Sequence, residues 1–190
     1  MPREKILCGK EEIFRVAINI VDRDGIEALS VRSIAKDLSV SPMTIYNYVD
    51  NLQSIKKQIV IEGFDRLYNY VFSELSKLNS PVDKTLFCKT VAMAVFRFSI
   101  DYNNIFVYIF SEGGKMFSSD AEVRPFFNFI STLTKRAKAT QKHYTENQNG
   151  YKLLEVLIFS VAYQMGMGVR TITEQEYEAL IDYYIQKCIA

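Results

Sequence analysis

The chain is short of the residues from which most catalytic and metal-binding sites are built. It has one histidine, His143, and three cysteines, Cys8, Cys88 and Cys188, far apart and without CxxC spacing. Scattered thiols in odd number make no disulfide framework, and no ligand set for a metal can be read. There is no glycine-rich phosphate loop and no nucleophile in a pattern with a base; Glu112-Gly113-Gly114 reads as a turn. No enzyme, no metal and no cofactor is expected. An excess of one charge is missing too, with 23 basic against 22 acidic residues and a net charge of +1. The basic residues are not gathered at the front: Arg3, Lys5, Lys10, Arg15, Arg23, Arg32, Lys36, Lys56 and Lys57 are nearly matched by acids there. Attraction to a polyanion must therefore be local. Apolar runs are interrupted by Lys, Arg or Glu before they reach about twenty residues, and the N-terminus has no signal-peptide arrangement. A soluble, cytoplasmic protein without a membrane partner is expected. Low-complexity tracts and internal repeats are also absent.

What is present can fill a core. The 190 residues are 48% hydrophobic and 13% aromatic, which excludes disorder and fibre and suits one large domain, or a small one joined to a moderate one.

The most informative stretch is Ser30 to Asp50, SVRSIAKDLSVSPMTIYNYVD. Val31, Ile34, Ala35 and Leu38 fall on one helical face, and Ser30 stands before them as an N-cap. A second start follows almost at once: Ser41 can cap, Pro42 supplies a pre-set φ at the first helical position, and Val40 can staple onto Ile45. Two short helices joined so tightly must cross steeply, as in a helix-turn-helix, with Pro42 to Val49 as its second helix. With Ile45 and Val49 turned inward, Pro42, Met43, Thr44, Tyr46, Asn47 and Tyr48 are left towards solvent, a face without an acid. Hydroxyls and amides there can bond phosphates or base edges, and methyl groups can touch the thymine methyl. The plainer reading is a corner of an ordinary helical bundle.

The run from Glu11 to about Val60, with FRVAINIVDRDGIEALSVRSIAKDLSVSPMTIYNYVDNLQSI at its heart, resembles the DNA-binding domain of TetR-type transcriptional regulators. The likeness lies in an ordered set: an amphipathic helix, Asp24-Gly25-Ile26, Leu29-Ser30, Arg32, Ile34-Ala35, Leu38, Val40-Ser41-Pro42, Thr44, Ile45-Tyr46 and Tyr48-Val49. Two positions depart from it. Ser39 stands where such proteins usually have glycine, and Leu52 where they usually have a phosphate-reaching lysine. The resemblance implies an all-α chain with a three-helix helix-turn-helix head at residues 1–60 and a helical ligand-binding and dimerisation domain at 61–190. On this basis Thr44 and Asn47 are expected to face bases and Met43 a thymine methyl. Ser30, Arg32, Tyr46 and Tyr48 are expected to hold phosphates, with Ser41 and Pro42 completing the DNA-binding set.

The remaining chain reads as helices. The first spans about Glu11 to Asp24 and ends at Gly25. Its arm carries Arg3, Lys5 and Lys10, which either meet phosphates or are simply solvated. Asp50 with Gln53 reads as a capping box that starts a helix to about Lys77, about 40 Å long. Gly63 within it marks a bend or a close helix contact. Ser80-Pro81 starts a helix to about Asp101, Asn103 to Phe110 makes a short one, and Ser119 or Asp120 starts another to about Thr140. Lys142 to Gly150 reads as a polar loop with an Asn-Gly turn.

The aromatic residues of the middle region, among them Phe64, Tyr68, Phe96, Tyr102, Phe106, Tyr108, Phe110, Phe126 and Phe127, are either core or the wall of a pocket. The resemblance implies a pocket, for which Phe64, Tyr68, Met93, Arg97 and Phe106 are the candidates. Arg97 either meets an anionic ligand or pairs with Asp101. Tyr151 to Val169 is apolar nearly all round, with Gly166 and Gly168 allowing close approach. Thr173 with Glu176 boxes the start of a last helix carrying Tyr177, Leu180, Ile181, Tyr184, Ile185 and Cys188. Surplus apolar surface on these two helices reads as a homodimer seam. The expected function is a repressor that leaves its double-stranded DNA operator when an unknown small-molecule effector binds. The alternative is a TetR-like regulator whose C-terminal domain binds a protein partner.

Overall fold

The computed structural model describes residues 9–78, 83–124 and 148–188, and these form helices joined by short turns, with no strand among them. The all-α expectation holds. The helices are α1 (Lys10–Asp24), α2 (Val31–Asp37), α3 (Pro42–Tyr46), α4 (Leu52–Ser76), α5 (Lys84–Asp101), α6 (Asn103–Phe110), α7 (Glu112–Phe117), α8 (Gln148–Gly166) and α9 (Glu174–Cys188).

Helix α1 buries Ile13, Val16, Ala17, Ile18, Ile20 and Val21, and stops where Gly25, at φ 83°, gives its N–H to the Val21 carbonyl. Arg3 and Lys5 lie outside the described residues; Lys10 sits over the Phe14 ring at 5.6 Å. A single 3-10 turn, Ile26–Ala28, leads to α2. Helix α2 packs on α1 and α3 packs on α2, with Ile34, Ala35, Leu38 and Ile45 buried.

Helix α4 is capped by Asn51, whose side chain accepts from the Ser54 N–H at 2.9 Å, instead of by Asp50 as expected. Aspartate and asparagine cap about equally well; here the burial of Val49 before the turn and Ile55 after it selects the second. The helix then runs 25 residues without interruption past residue 60, about 38 Å. Gly63 proves to be a contact point: a Cβ there would lie 2.7 Å from Ile109 Cγ2 and 3.0 Å from Ile105 Cγ2 of α6.

Helix α5 is the centre of the body. Asp83 caps it by accepting from the Leu86 N–H, later than the expected Ser80-Pro81 start, which lies outside the described residues. It buries Phe87, Cys88, the run Val91 to Phe96, and Phe98 and Ser99, because α4, α6, α8 and α9 surround it. Ser99, polar and buried, gives its hydroxyl to the Phe96 carbonyl.

Three expectations about glycines are corrected. Glu112-Gly113-Gly114 opens α7; a Cβ on Gly113 would meet the Tyr108 ring at 2.7 Å, so glycine serves packing there. The Asn149-Gly150 pair lies in the first turn of α8, with the preceding Lys142 to Asn147 outside the described residues. Gly166 does let α8 approach α6, at Asn103 and Val107, whereas Gly168, at φ 68° with open space around it, forms the helix stop. Of the expected helix from Asp120 to Thr140 only residues 120–124 are described, and they form turns; Phe126, Phe127 and the rest lie outside the described residues.

Helix α9 starts with the Thr173–Glu176 box, the Thr173 N–H donating to Glu176 at 2.8 Å and the Glu176 N–H donating back at 3.2 Å. It lies antiparallel to α5, where the Phe96 and Tyr177 rings stack at 4.4 Å and Lys89 reaches Glu178 and Asp182. Tyr177, Ile181 and Ile185 are thereby spent on the protomer's own core and are not available to a dimer seam. Arg97 pairs with Glu174, at 2.6 Å, and not with Asp101, which accepts from the Tyr70 hydroxyl.

Valine at Gly63 would drive its methyl groups into two β-branched isoleucines that have no spare rotamer. We expect Gly63→Val to lose about 2–3 kcal/mol of stability, read as a lower urea midpoint at unchanged slope. A rise in stability, as helix propensity alone would give, would contradict the close contact.

Candidate nucleic-acid interface

Backbone chemistry shapes the α2–α3 corner. The Ser33 N–H donates to Ser30 Oγ at 3.0 Å, and the Ser30 N–H donates to Ser33 Oγ at 2.9 Å, which closes a capping box at the start of α2. At its end, the Ser39 N–H reaches the Lys36 carbonyl and the Val40 N–H the Ala35 carbonyl. That pair of bonds is a Schellman stop, which needs a left-handed residue at its turn. Ser39 supplies it at φ 54°, a conformation glycine adopts without strain. Ser41 then caps α3 by accepting from the Thr44 N–H, and Pro42 occupies the first position.

Ile45 and Val49 anchor the second helix into the core. Its α-helical part is shorter than the expected Pro42–Val49 and ends at Tyr46; turn bonds from the Asn47, Tyr48 and Val49 N–H groups to Thr44 and Ile45 carry the chain on. Side chains left outward include Met43 at 72% exposure, Tyr46 at 51% and Tyr48 at 44%. Pro42, Ser41 and Asn47 are exposed as well, and Thr44 is half-buried. Ser41 Oγ and Thr44 Oγ1 are 3.0 Å apart. Whichever donates, the pair keeps one O–H free for another acceptor. The Ser30 hydroxyl is spent on Ser33 at 3.1 Å, while Arg32 and Lys36 on α2 are exposed.

The electrostatics are sparse. No acid occurs between Asp37 and Asp50, and no lysine or arginine between Lys36 and Lys56. Arg23 bonds Asp24 at 2.7 Å and reaches Asp37 at 3.6 Å, joining the ends of α1 and α2; its hydrogen bond holds the Asp24 carboxyl below the ordinary value. Lys57 is held by Asp120 and Glu122 at 2.8 and 2.6 Å, and Gln53 meets Met116. These contacts bind the head-proximal end of α4 to the body. They join residues sixty or more apart in the chain and leave no local pattern to be read. Leu52, where a lysine would be usual, is half-buried against the core.

The proposed ligand set divides. Phe64, Tyr68, Met93 and Phe106 are buried. Phe64 and Phe106 share an aromatic cluster with Phe110 and Phe159, whose centroids are 4.6 to 6.4 Å apart. Arg97 is not with them: its side chain is 46% exposed and bonded to Glu174 through Nε and Nη2. Phe159 belongs to the cluster but not to the aromatic residues picked out from the sequence, because it sits within an apolar run where no period singles it out. The Tyr108 hydroxyl is buried without a partner, and burial pushes its pKa up to about 12. Among the described residues no cluster of His, Cys, Asp or Glu is placed to hold a metal ion, and no helix is long and apolar enough to cross a membrane.

Because Ser39 occupies a left-handed position, Ser39→Gly should stabilise the protein by about 1 kcal/mol. The check is thermal melting of the variant against the parent; a lower melting temperature would show that no strain is stored there.

No family model matches the chain. A stretch of 73 residues is 25% identical to the uncharacterised HTH-type transcriptional regulator YobS of Bacillus subtilis strain 168; the match covers 38% of this chain and 38% of that protein. A protein of unknown function from Rhodococcus sp. RHA1 superimposes with a TM-score of 0.76 at 14% identity, over 99% of this chain and 100% of its own. A TetR family transcription regulator from Marinobacter aquaeolei VT8 does so with 0.65 at 14% identity, over 93% of each chain. Helix-turn-helix head, long connecting helix and helical body together make this chain a holder of the TetR-regulator fold.

Proposed function

We propose that the chain is a DNA-binding transcription regulator of the TetR type, acting as a homodimeric repressor that a small molecule releases from its operator. The observation that carries this reading is the α2–α3 corner: a doubly capped pair of helices whose second member presents thioether, hydroxyl and amide groups to solvent, free of acids that would repel phosphate. Such a helix suits the major groove, while the first helix crosses the backbone. The sequence likeness to YobS supports the same reading. Within it, residues 1–60 form the reading head and 61–190 the body, with α4 common to both.

The body offers a seam. On α8, Leu153 at 58% and Val156 at 65% exposure stand one turn apart, followed by exposed Ser160; on α9, Leu180 and Tyr183 are exposed at 41% and 65%. Apolar side chains in one stripe, on two helices that also pack on α5, suit a four-helix contact with a second copy. The effector reading rests on the aromatic cluster beside α4 and on α6. One end of α6 meets those rings, and at the other Asn104 Nδ2 donates to the Asp22 carbonyl of α1 at 2.9 Å. A ligand that displaces α6 acts on the head through this bond and through α4. A hundredfold loss of operator affinity needs about 2.7 kcal/mol of coupling, which is within the usual range.

Two measurements test the reading. Arg32→Ala/Tyr46→Ala removes one charged and one hydroxyl contact to phosphate, both from exposed positions. It should weaken duplex binding about a hundredfold and lower the salt slope by about one per subunit; parent-like binding would refute the interface. Leu153→Asp/Leu180→Asp alters only side chains exposed in the protomer, so the fold should survive while sedimentation shows monomer, a buried unpaired charge being too costly for the seam. A parent protein that sediments as a monomer at micromolar concentration would remove the dimer.

A further inference from the structure

The second helix of the corner is unusual in what its surface cannot do. Guanine offers two acceptors to the major groove and is best read by two converging donors on an arginine or lysine; cytosine offers an amino donor and is read by a carboxylate. The segment from Ser39 to Val49 holds neither a cation nor an acid. Just beyond it Asp50 is exposed at the turn into α4, and the nearest cations stand off the helix. Arg32 and Lys36 stand on the first helix of the pair, which crosses the phosphate backbone, and Arg23 is engaged by Asp24 and Asp37. Lys57 is taken by Asp120 and Glu122, and the Asn51 amide oxygen by the α4 cap.

What remains matches the other base pair. Asn47, exposed just after α3, carries one amide donor and one acceptor, the pairing that adenine presents at N6 and N7. Met43, 72% exposed, ends in a methyl group that can lie on the thymine C5-methyl. Thr44 and Ser41 share one hydrogen bond and, like the Tyr46 and Tyr48 hydroxyls, can donate or accept, so they favour no base.

Building on the regulator reading above, we infer that this surface selects A·T base pairs at the positions it touches, and that the operator half-site is A·T-rich at its centre. Asn47 reads an adenine and Met43 a thymine methyl, and the charges of α2 hold the flanking phosphates without reading sequence.

Selection of full-length protein on randomised duplexes tests this. Enriched half-sites should carry A·T pairs at their centre. Asn47→Ala should lower the preference for adenine at one position about tenfold. Exchanging the enriched thymines for uracil, which lacks the methyl group, should weaken the parent about fourfold and leave Met43→Ala unaffected. Met43 and Asn47 are exposed, so melting temperatures close to the parent's will confirm that both variants are folded. G·C pairs enriched at the positions these substitutions affect would overturn the inference and leave DNA binding intact. Equal affinity for thymine and uracil duplexes would overturn the methyl contact, and binding without enrichment would overturn the selectivity as a whole. Failure to bind any duplex would overturn the regulator reading, and the inference with it.

Discussion

The absent side chain at Gly63 sets the spacing on which the molecule depends. It lets Ile105 and Ile109 settle directly on α4, so that α6 lies across the joint between head and body instead of standing off by the width of a side chain. Three relations follow from that approach. The first turn of α6 is brought within hydrogen-bond reach of the Asp22 carbonyl. Phe106 and Phe110, one turn apart on it, are carried to Phe64 and Phe159. Its outer side is left for Gly166 of α8, where a second close approach occurs at Asn103 and Val107. Tightly packed interiors move as units, so a displacement of α6 cannot be absorbed locally.

The two halves of the chain are held by different physics. The α2–α3 corner has little area, and its shape is decided by backbone groups: two serine caps, one Schellman stop and a proline. The body relies on area, with α5 buried by four neighbours and aromatic rings stacked against it. Its ion pairs with α9 sit at the rim, where Lys89 and Arg97 tie that helix down in partial solvent. Such exposed pairs contribute little to stability; their part is to fix the register of α9 on α5.

This difference explains what could be read from the sequence. Caps and stops are local, acting over three or four residues, so Ser30, Ser41, Gly25 and the Thr173–Glu176 box could all be recognised where they stand. Where two cap residues are adjacent, as at Asp50 and Asn51, the choice passes to the burial of Val49 and Ile55, which local pattern does not reveal. Gly113 reads as a turn in the sequence because its packing partner, the Tyr108 ring, meets it only once α6 and α7 fold against one another. Arg97 has an acid four residues on and another in α9, and helical spacing favours the wrong one. Periodicity likewise identified the apolar residues of α9 but not their direction: Tyr177, Ile181 and Ile185 face inward, Leu180 and Tyr183 outward. The outward residues of α3 are legible because they are neighbours in the chain and form an acid-free run.

The stretch from Lys36 to Lys56, without a cation, bears on how such a protein would search a genome. Long-range steering and sliding along DNA are driven by counterion release, which grows with the number of phosphates neutralised. A reading segment without cations would add little to the grip on random DNA, and association through it would be slower than that of a strongly basic reader. Occupancy of an operator would then depend on the lifetime of the bound complex, set by short-range fit, and would vary less with ionic strength than is usual for proteins that grip DNA by charge.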